Sequence, residues 1–333
     1  MDMQDIQWQP RRKMKETILS ATNIKEYFPV RQGLFSSIKD YVKAVDDVNI
    51  EIRKGETFGL VGESGCGKTT LGRVLISLIP PTAGTLCFMG SDLNAISKSE
   101  IRKLRPHMQM VFQDPSSSLN PRMTIKQIIG EPLKINKKFK GDALNDKVLE
   151  ILKTVGLDEQ HMYRYPHEFS GGQKQRIGVG RALALNPDFI VLDEPTSALD
   201  VSVQAQILNL FKDLQKKFGL TYLFITHDLS VIKYISNRVA VMYAGKIVEV
   251  ARTKDLFKEQ LHPYTKALLS AIPIPNPKIK TKHIRLKGEV PSLINPPAGC
   301  RFHPRCSECK SICRKAEPVM KELRKDHFVA CHV

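Results

Sequence analysis

Nine consecutive residues restrict this chain more than any other feature: Gly62-Glu63-Ser64-Gly65-Cys66-Gly67-Lys68-Thr69-Thr70. They follow the apolar run Thr57-Phe58-Gly59-Leu60-Val61, which reads as a buried strand, and precede the helical Leu71-Gly72-Arg73-Val74-Leu75. A strand, the pattern G-x-x-x-x-G-K-[ST] and a helix, in that order, specify a phosphate-binding loop. Its glycines let backbone N–H groups wrap a polyphosphate, and the helix N-terminus adds favourable partial charge. Lys68 is expected to reach the β- and γ-phosphates and the Thr69 hydroxyl to bind Mg²⁺. Gly62, Ser64, Gly65, Cys66, Gly67 and Thr70 complete the expected cradle.

Such a loop needs a second, acidic strand end to hold its metal ion. Phe189-Ile190-Val191-Leu192 supplies an apolar strand, and Asp193 and Glu194 supply the carboxylates at its end. Asp193 is read as orienting Mg²⁺ through water, and Glu194 as polarising the water that attacks the γ-phosphate. Strand-like and longer helical segments alternate from about residue 43 to 250, with Thr221-Tyr222-Leu223-Phe224-Ile225 a third buried strand. That rhythm predicts a mixed or parallel sheet covered by helices. Between about residues 115 and 185 helical patterning takes over, as in Asp146-Lys147-Val148-Leu149-Glu150-Ile151-Leu152, and predicts an inserted helical lobe.

Composition narrows the class further. With 42% hydrophobic and 26% charged residues in 333, the chain reads as a soluble globular protein. No stretch approaches the roughly 18 to 20 apolar residues of a spanning helix. Met1 to Ser20 lacks a compact apolar signal core, so an intracellular protein is expected. The formal charge is +17, and residues 251–333 carry 17 basic against 7 acidic side chains. Without a nucleic-acid-binding motif this dispersed excess does not predict nucleic acid as a partner. The same segment holds five of the seven cysteines and is rich in proline, as in Ile272-Pro273-Ile274-Pro275-Asn276-Pro277, Pro291 and Asn295-Pro296-Pro297. A loop-rich appendage follows, since proline at that density excludes long helices and central strands.

Phe169-Ser170-Gly171-Gly172-Gln173-Lys174-Gln175-Arg176, ahead of a helix through Leu185, resembles the signature of the ATP-binding-cassette ATPases. The resemblance covers about residues 20 to 250. Gln113 in Val111-Phe112-Gln113-Asp114-Pro115 looks like the family's Gln-loop, Ser197-Ala198-Leu199-Asp200 like its D-loop, and His227 in Ile225-Thr226-His227-Asp228 like its switch histidine. The resemblance implies that Ser170, Gly171, Gly172 and Gln173 of one subunit close on the phosphate loop of a second, with Asp200 nearby. It implies that Gln113 ligates Mg²⁺ and that His227 contacts the γ-phosphate and attacking water. It also implies an aromatic stacked on adenine, for which Tyr41 is the first candidate and Phe35 the second.

The tail carries a narrower likeness. His262-Pro263-Tyr264-Thr265-Lys266-Ala267-Leu268-Leu269 and Asn295-Pro296-Pro297-Ala298-Gly299-Cys300 look like the extension on ATPase subunits of oligopeptide and dipeptide importers, with nickel and glutathione importers close by. Cys300, Cys306, Cys313 and Cys331 fit a four-Cys spacing found in some relatives, which implies a [4Fe–4S] cluster or, alternatively, Zn²⁺ as a structural staple. The expected fold class is α/β: a P-loop ATPase core with mixed sheet, an inserted helical subdomain over about 115–185, and a loop-rich C-terminal extension. The expected divisions are a tail over 1–19, the ATP-binding domain over 20–255 and the extension over 256–333. The whole reading is a MgATP-hydrolysing subunit at the cytoplasmic face of a bacterial membrane. It would pair with a second ATPase subunit and two permeases, and an extracytoplasmic peptide-binding protein would act indirectly. The rivals are a soluble cassette ATPase acting on nucleic acid and an iron-sensing adaptor.

Overall fold

Two long antiparallel strands, β1 (Thr17–Gln32) and β2 (Ser37–Arg53), open the described chain. The computed structural model describes residues 16–32, 37–137, 139–272 and 284–333. Along β2, Val48, Ile50 and Ile52 are buried at every second position, the period of a strand with one covered face. Then come β3 (Thr57–Val61), α1 (Lys68–Leu75), β4 (Ala83–Phe88) and β5 (Ser91–Asp92). Strands β2, β1, β4 and β5 make an antiparallel sheet in that order, with Ala21 opposite both Ile50 and Leu86. None of β1, β2, β4 or β5 is announced by an uninterrupted apolar run.

The chain then leaves this unit. One compact unit comprises the residues up to Asn94 together with those from Thr226 onward; Ala95–Ile225 make the other. The second contains α2 (Lys98–Leu104), β6 (Met108–Val111), α3 (Pro115–Ser118), α4 (Ile125–Lys137), α5 (Gly141–Thr154) and α6 (Gly171–Leu183). It continues with β7 (Phe189–Asp193), α7 (Val201–Phe218) and β8 (Thr221–Thr226). Strands β6, β7 and β8 are parallel, with Val191 opposite Met110 and Leu223. Both β7 and β8 are buried along their whole length, which explains their unbroken apolar sequences. Helices α3 to α6 fill the stretch read as helical, burying Ile129, Leu133, Val148 and Leu152 among them.

Back in the first unit lie α8 (Leu229–Ile235), β9 (Arg238–Tyr243), β10 (Lys246–Arg252), α9 (Thr253–Lys258), α10 (Pro263–Ser270), β11 (Lys321–Arg324) and β12 (His327–Val329). Here β3 runs parallel to β9, while β9–β10, β10–β12 and β12–β11 are antiparallel, a mixed sheet. The extension thus contributes two strands, beyond its prolines. Glu249 on β10 is fully buried and accepts the N–H groups of Leu261 at 2.8 Å and His262 at 3.0 Å. His327 Nε2 lies 2.7 Å from the same carboxylate. Arg301 is buried and pairs with Asp46 and the Ala244 carbonyl.

His262 provides a pH-sensitive support. It is 1% exposed and caps α10, its Nδ1 accepting the Tyr264 N–H at 3.0 Å, so the neutral ring is required. Burial pushes its pKa down to about 4 despite the nearby Glu249. The unfolded histidine takes its proton near pH 6.5, so stability is full above that value and falls as pH drops toward 4. The loss amounts to about 3 kcal/mol over that window. Thermal melts from pH 8 to pH 4 check it: His262→Asn, which retains a capping group, flattens the slope between pH 6.5 and 4.

Candidate functional site

The phosphate loop takes its shape from two left-handed glycines, Gly65 at φ 77° and Gly67 at φ 106°. Between them Cys66 is buried, and burial pushes its thiol pKa up, so it is a neutral packing group. Lys68 is 5% exposed and donates from Nζ to the carbonyls of Gly62 and Glu63, each at 2.8 Å. No carboxylate pairs with it among the described residues. A buried ammonium held by two neutral carbonyls and, at 3.9 Å, by the neutral Cys66 thiol is an incomplete electrostatic arrangement, one that a polyphosphate would complete. Ser64 and Gly65 are exposed at the turn, and Thr69 and Thr70 stand partly buried at the start of α1.

In the other unit, Asp193 ends β7 and is 1% exposed. Glu194 follows in left-handed conformation at φ 43°, a rare state for a residue with a side chain. Its N–H donates to the Ile225 carbonyl at 2.9 Å, and its own carbonyl accepts from Ser197 Oγ at 3.1 Å. Gln113, 81 residues earlier, donates from Nε2 to Glu194 Oε2 at 3.0 Å. Two side chains read separately from the sequence therefore touch.

The signature residues form a helix start. Ser170 caps α6: its Oγ accepts the Gln173 N–H at 3.4 Å, and Gln173 Oε1 accepts the Ser170 N–H at 3.1 Å. Ser170 and Gly171 are exposed. A Cβ on Gly172 would stand 2.4 Å from Val203 Cγ1, so only glycine allows α6 and α7 to approach this closely. Asp200 caps α7, accepting from Val203 N–H at 2.9 Å and Ser202 Oγ at 2.7 Å. Those hydrogen bonds hold its carboxyl below the ordinary range. In the first unit His227 is exposed ahead of α8, and Tyr41 is 46% exposed on β2, opposite Pro29. Phe35 lies outside the described residues.

Among the described residues no group of three or more His, Cys, Asp or Glu side chains is arranged to hold a metal ion. Two of the thiols meet nearby backbone: Cys313 Sγ accepts the Lys310 N–H, and Cys331 Sγ the Val333 N–H, both at 3.4 Å. Burial, reinforced by Cys313, Cys331 and Cys306, pushes Cys300 up to about 11, which keeps it a thiol at neutral pH. Burial also raises Cys306 and Cys331. The extension is also fastened by Arg301–Asp46, Glu249–His327 and the β10–β12 pairing.

Sequence reasoning missed one group of residues at the phosphate loop. Arg305 Nη1 donates to Glu63 Oε2 at 2.8 Å, and the Glu63 N–H donates to Tyr264 Oη at 3.0 Å. Partners 242 and 201 residues apart leave no local signal.

Residues 45–197 match the family described as ABC transporter, and residues 248–313 match the oligopeptide/dipeptide transporter C-terminal region. The oligopeptide transport ATP-binding protein AppF of Bacillus subtilis (strain 168) is 53% identical over 322 residues, covering 96% of this chain and 98% of the relative. The chain belongs to the ABC transporter ATPases. YkfD of the same strain, named for oligopeptide transport, is also 53% identical over 319 residues, 95% of each chain. Among solved ABC structures, the dimeric cassette MJ0796 bound to ADP and Pi aligns with a TM-score of 0.63 and 29% identity, covering 71% of this chain and 98% of that one. The cassette cbiO1 from Clostridium perfringens, part of the transporter complex cbiONQ, gives 0.63 and 27%, covering 74% and 92%. This ABC protein is therefore an ATP-hydrolysing enzyme on an α/β cassette fold, and ATP with Mg²⁺ is its cofactor pair. Among the described residues no helix is long and apolar enough to cross a membrane.

Proposed function

We propose that this ATPase powers an importer of oligopeptides or dipeptides. The observation that carries the reading is the continuous likeness to AppF over 96% of the chain, extension included. Lys68 and the loop N–H groups bind the β- and γ-phosphates, Thr69, Gln113 and Asp193 hold Mg²⁺, and Tyr41 stacks on adenine. Glu194 is the general base, and its contact with Gln113 ties it to the Mg²⁺-sensing side chain. His227 is a second hydrogen-bonding group for the γ-phosphate. Ser170, Gly171, Gly172, Gln173 and Asp200 serve the nucleotide of a partner cassette. An exposed, capped helix start at Ser170 supports that assignment, because the N-terminus of a helix carries partial positive charge that favours an anion.

The protein sits at the cytoplasmic face of the membrane, paired with a second, non-identical cassette and two permeases. A peptide-binding protein outside the membrane delivers the substrate. Nickel or glutathione as cargo is the alternative within the same subfamily. The spacing of Cys300, Cys306, Cys313 and Cys331 supports a [4Fe–4S] or Zn²⁺ centre as a resident group, through which no step of hydrolysis passes. Purification from detergent-solubilised membranes tests the assignment: the tagged chain brings down two permeases and a second ATPase. Recovery of nucleic acid or of the chain alone overturns it, and iron and zinc content of the same material decides the thiol centre.

A further inference from the structure

We infer that the C-terminal extension sets the position of the phosphate loop, with Arg305 and Tyr264 acting through Glu63 as positioning residues for nucleotide binding. Three polar groups of Glu63 are each committed to a different partner. Its carboxylate accepts from Arg305 Nη1 at 2.8 Å, its N–H donates to Tyr264 Oη at 3.0 Å, and its carbonyl accepts from Lys68 Nζ at 2.8 Å. Two of those partners belong to the C-terminal part of the chain, and the third is the cation that meets the phosphates. A displacement of Arg305 or Tyr264 therefore reaches Lys68 through one residue.

The clamp is rigid enough to matter. The Arg305 side chain is 9% exposed and that of Glu63 22%, so the pair is shielded from much of the solvent screening that weakens surface ion pairs. The Arg305 guanidinium also reaches Tyr243 Oη at 3.5 Å and lies 5.9 Å from the centre of that ring. Phe302, three residues before Arg305, packs edge-on against Tyr243 at 5.2 Å and tilted against Tyr264 at 5.4 Å. Tyr243 and Tyr264 are themselves 4.6 Å apart. These three rings fuse the end of β9, the start of α10 and the turn carrying Arg305 into one support. The loop rests on the same place, for a Cβ on Gly62 would meet the Met242 carbonyl at 2.1 Å.

The inference rests on the reading of Gly62–Thr70 as the nucleotide site, and the experiment separates the two. ATPase kinetics of the assembled transporter and fluorescent-ATP titration of the full chain are measured for Lys68→Ala, Arg305→Met, Arg305→Lys and Tyr264→Phe. Lys68→Ala loses ATP binding; if it binds as wild type, the nucleotide-site reading fails. Arg305→Met raises the KM for ATP about tenfold while kcat at saturation stays within about twofold, because a displaced loop loses binding common to ground and transition states. Arg305→Lys recovers part of that loss, and Tyr264→Phe raises KM about threefold by leaving the Glu63 N–H unpaired. In a Glu63→Ala background Arg305→Met adds less than about twofold. A purely structural extension gives the opposite split: lower kcat from fewer folded molecules, with KM unchanged. That result, or full additivity with Glu63→Ala, overturns the inference while Lys68→Ala still loses binding. Should Arg305→Met fail to fold, Arg305→Lys and Tyr264→Phe decide by the same split.

Discussion

Glu194→Gln lowers the ATP turnover of the assembled transporter by about 10²- to 10³-fold, the usual contribution of a positioned general base. The change is nearly isosteric. The amide oxygen still accepts from Gln113 Nε2 at the present 3.0 Å, so the bend after β7 and the Gln113 contact survive. Only the negative charge that draws a proton from the attacking water is lost. ATP affinity therefore stays within about twofold, and the paired cassettes accumulate with ATP trapped between them. Phosphate release and size-exclusion chromatography in ATP measure both effects. Transport that survives this substitution would show that hydrolysis at this chain is dispensable.

The second large effect lies in the loop itself. Gly67→Ala abolishes nucleotide binding, weakening it by at least about 100-fold, on two independent grounds. The backbone there sits at φ 106°, where a side chain adds strain of about 1–3 kcal/mol. The new Cβ would also stand 2.0 Å from the Ala44 carbonyl and 2.9 Å from Met242 Cε, and the former belongs to the backbone of β2. The loop has to move, and the ammonium of Lys68, the next residue, moves with it. Gly65→Ala is the control: it has a comparable φ of 77° but nothing within 4 Å of the added atom. Fluorescent-ATP titrations showing a much smaller loss for Gly65→Ala separate the steric cause from the conformational one.

What the sequence disclosed follows from distance along the chain. The phosphate loop, the Asp193–Glu194 strand end and the Ser170 helix start each fit within nine residues, so adjacent side chains and backbone carry the whole signal. The parallel strands β7 and β8 were plain because burial on both faces leaves each with an unbroken hydrophobic run, residues 189–192 and 222–225. Strand β2 hid behind its alternation, with Asp46, Asp47 and Asn49 interrupting Val45, Val48 and Ile50. The contacts that fasten the extension were illegible for a stricter reason. Arg301 and Asp46 are 255 residues apart, and nothing beside Arg301 in sequence distinguishes it from the other basic residues of the tail. The cysteine spacing said nothing of the buried ion pairs and the shared sheet that fasten the extension.

The pairing of β10 with β12 also dictates when this protein finishes folding. Until the ribosome has passed Val329, β10 has an open edge and the buried carboxylate of Glu249 lacks His327. An unpaired edge beside a buried carboxylate that lacks one of its partners is an aggregation-prone state. The nascent chain must hold it through the synthesis of almost eighty further residues. The outermost strand that finally arrives, Lys321-Glu322-Leu323-Arg324, is short and mostly charged, a poor template for any other chain. The β11–β12 segment, translated long after β10, is thus the one that turns a sticky intermediate into a self-limiting sheet.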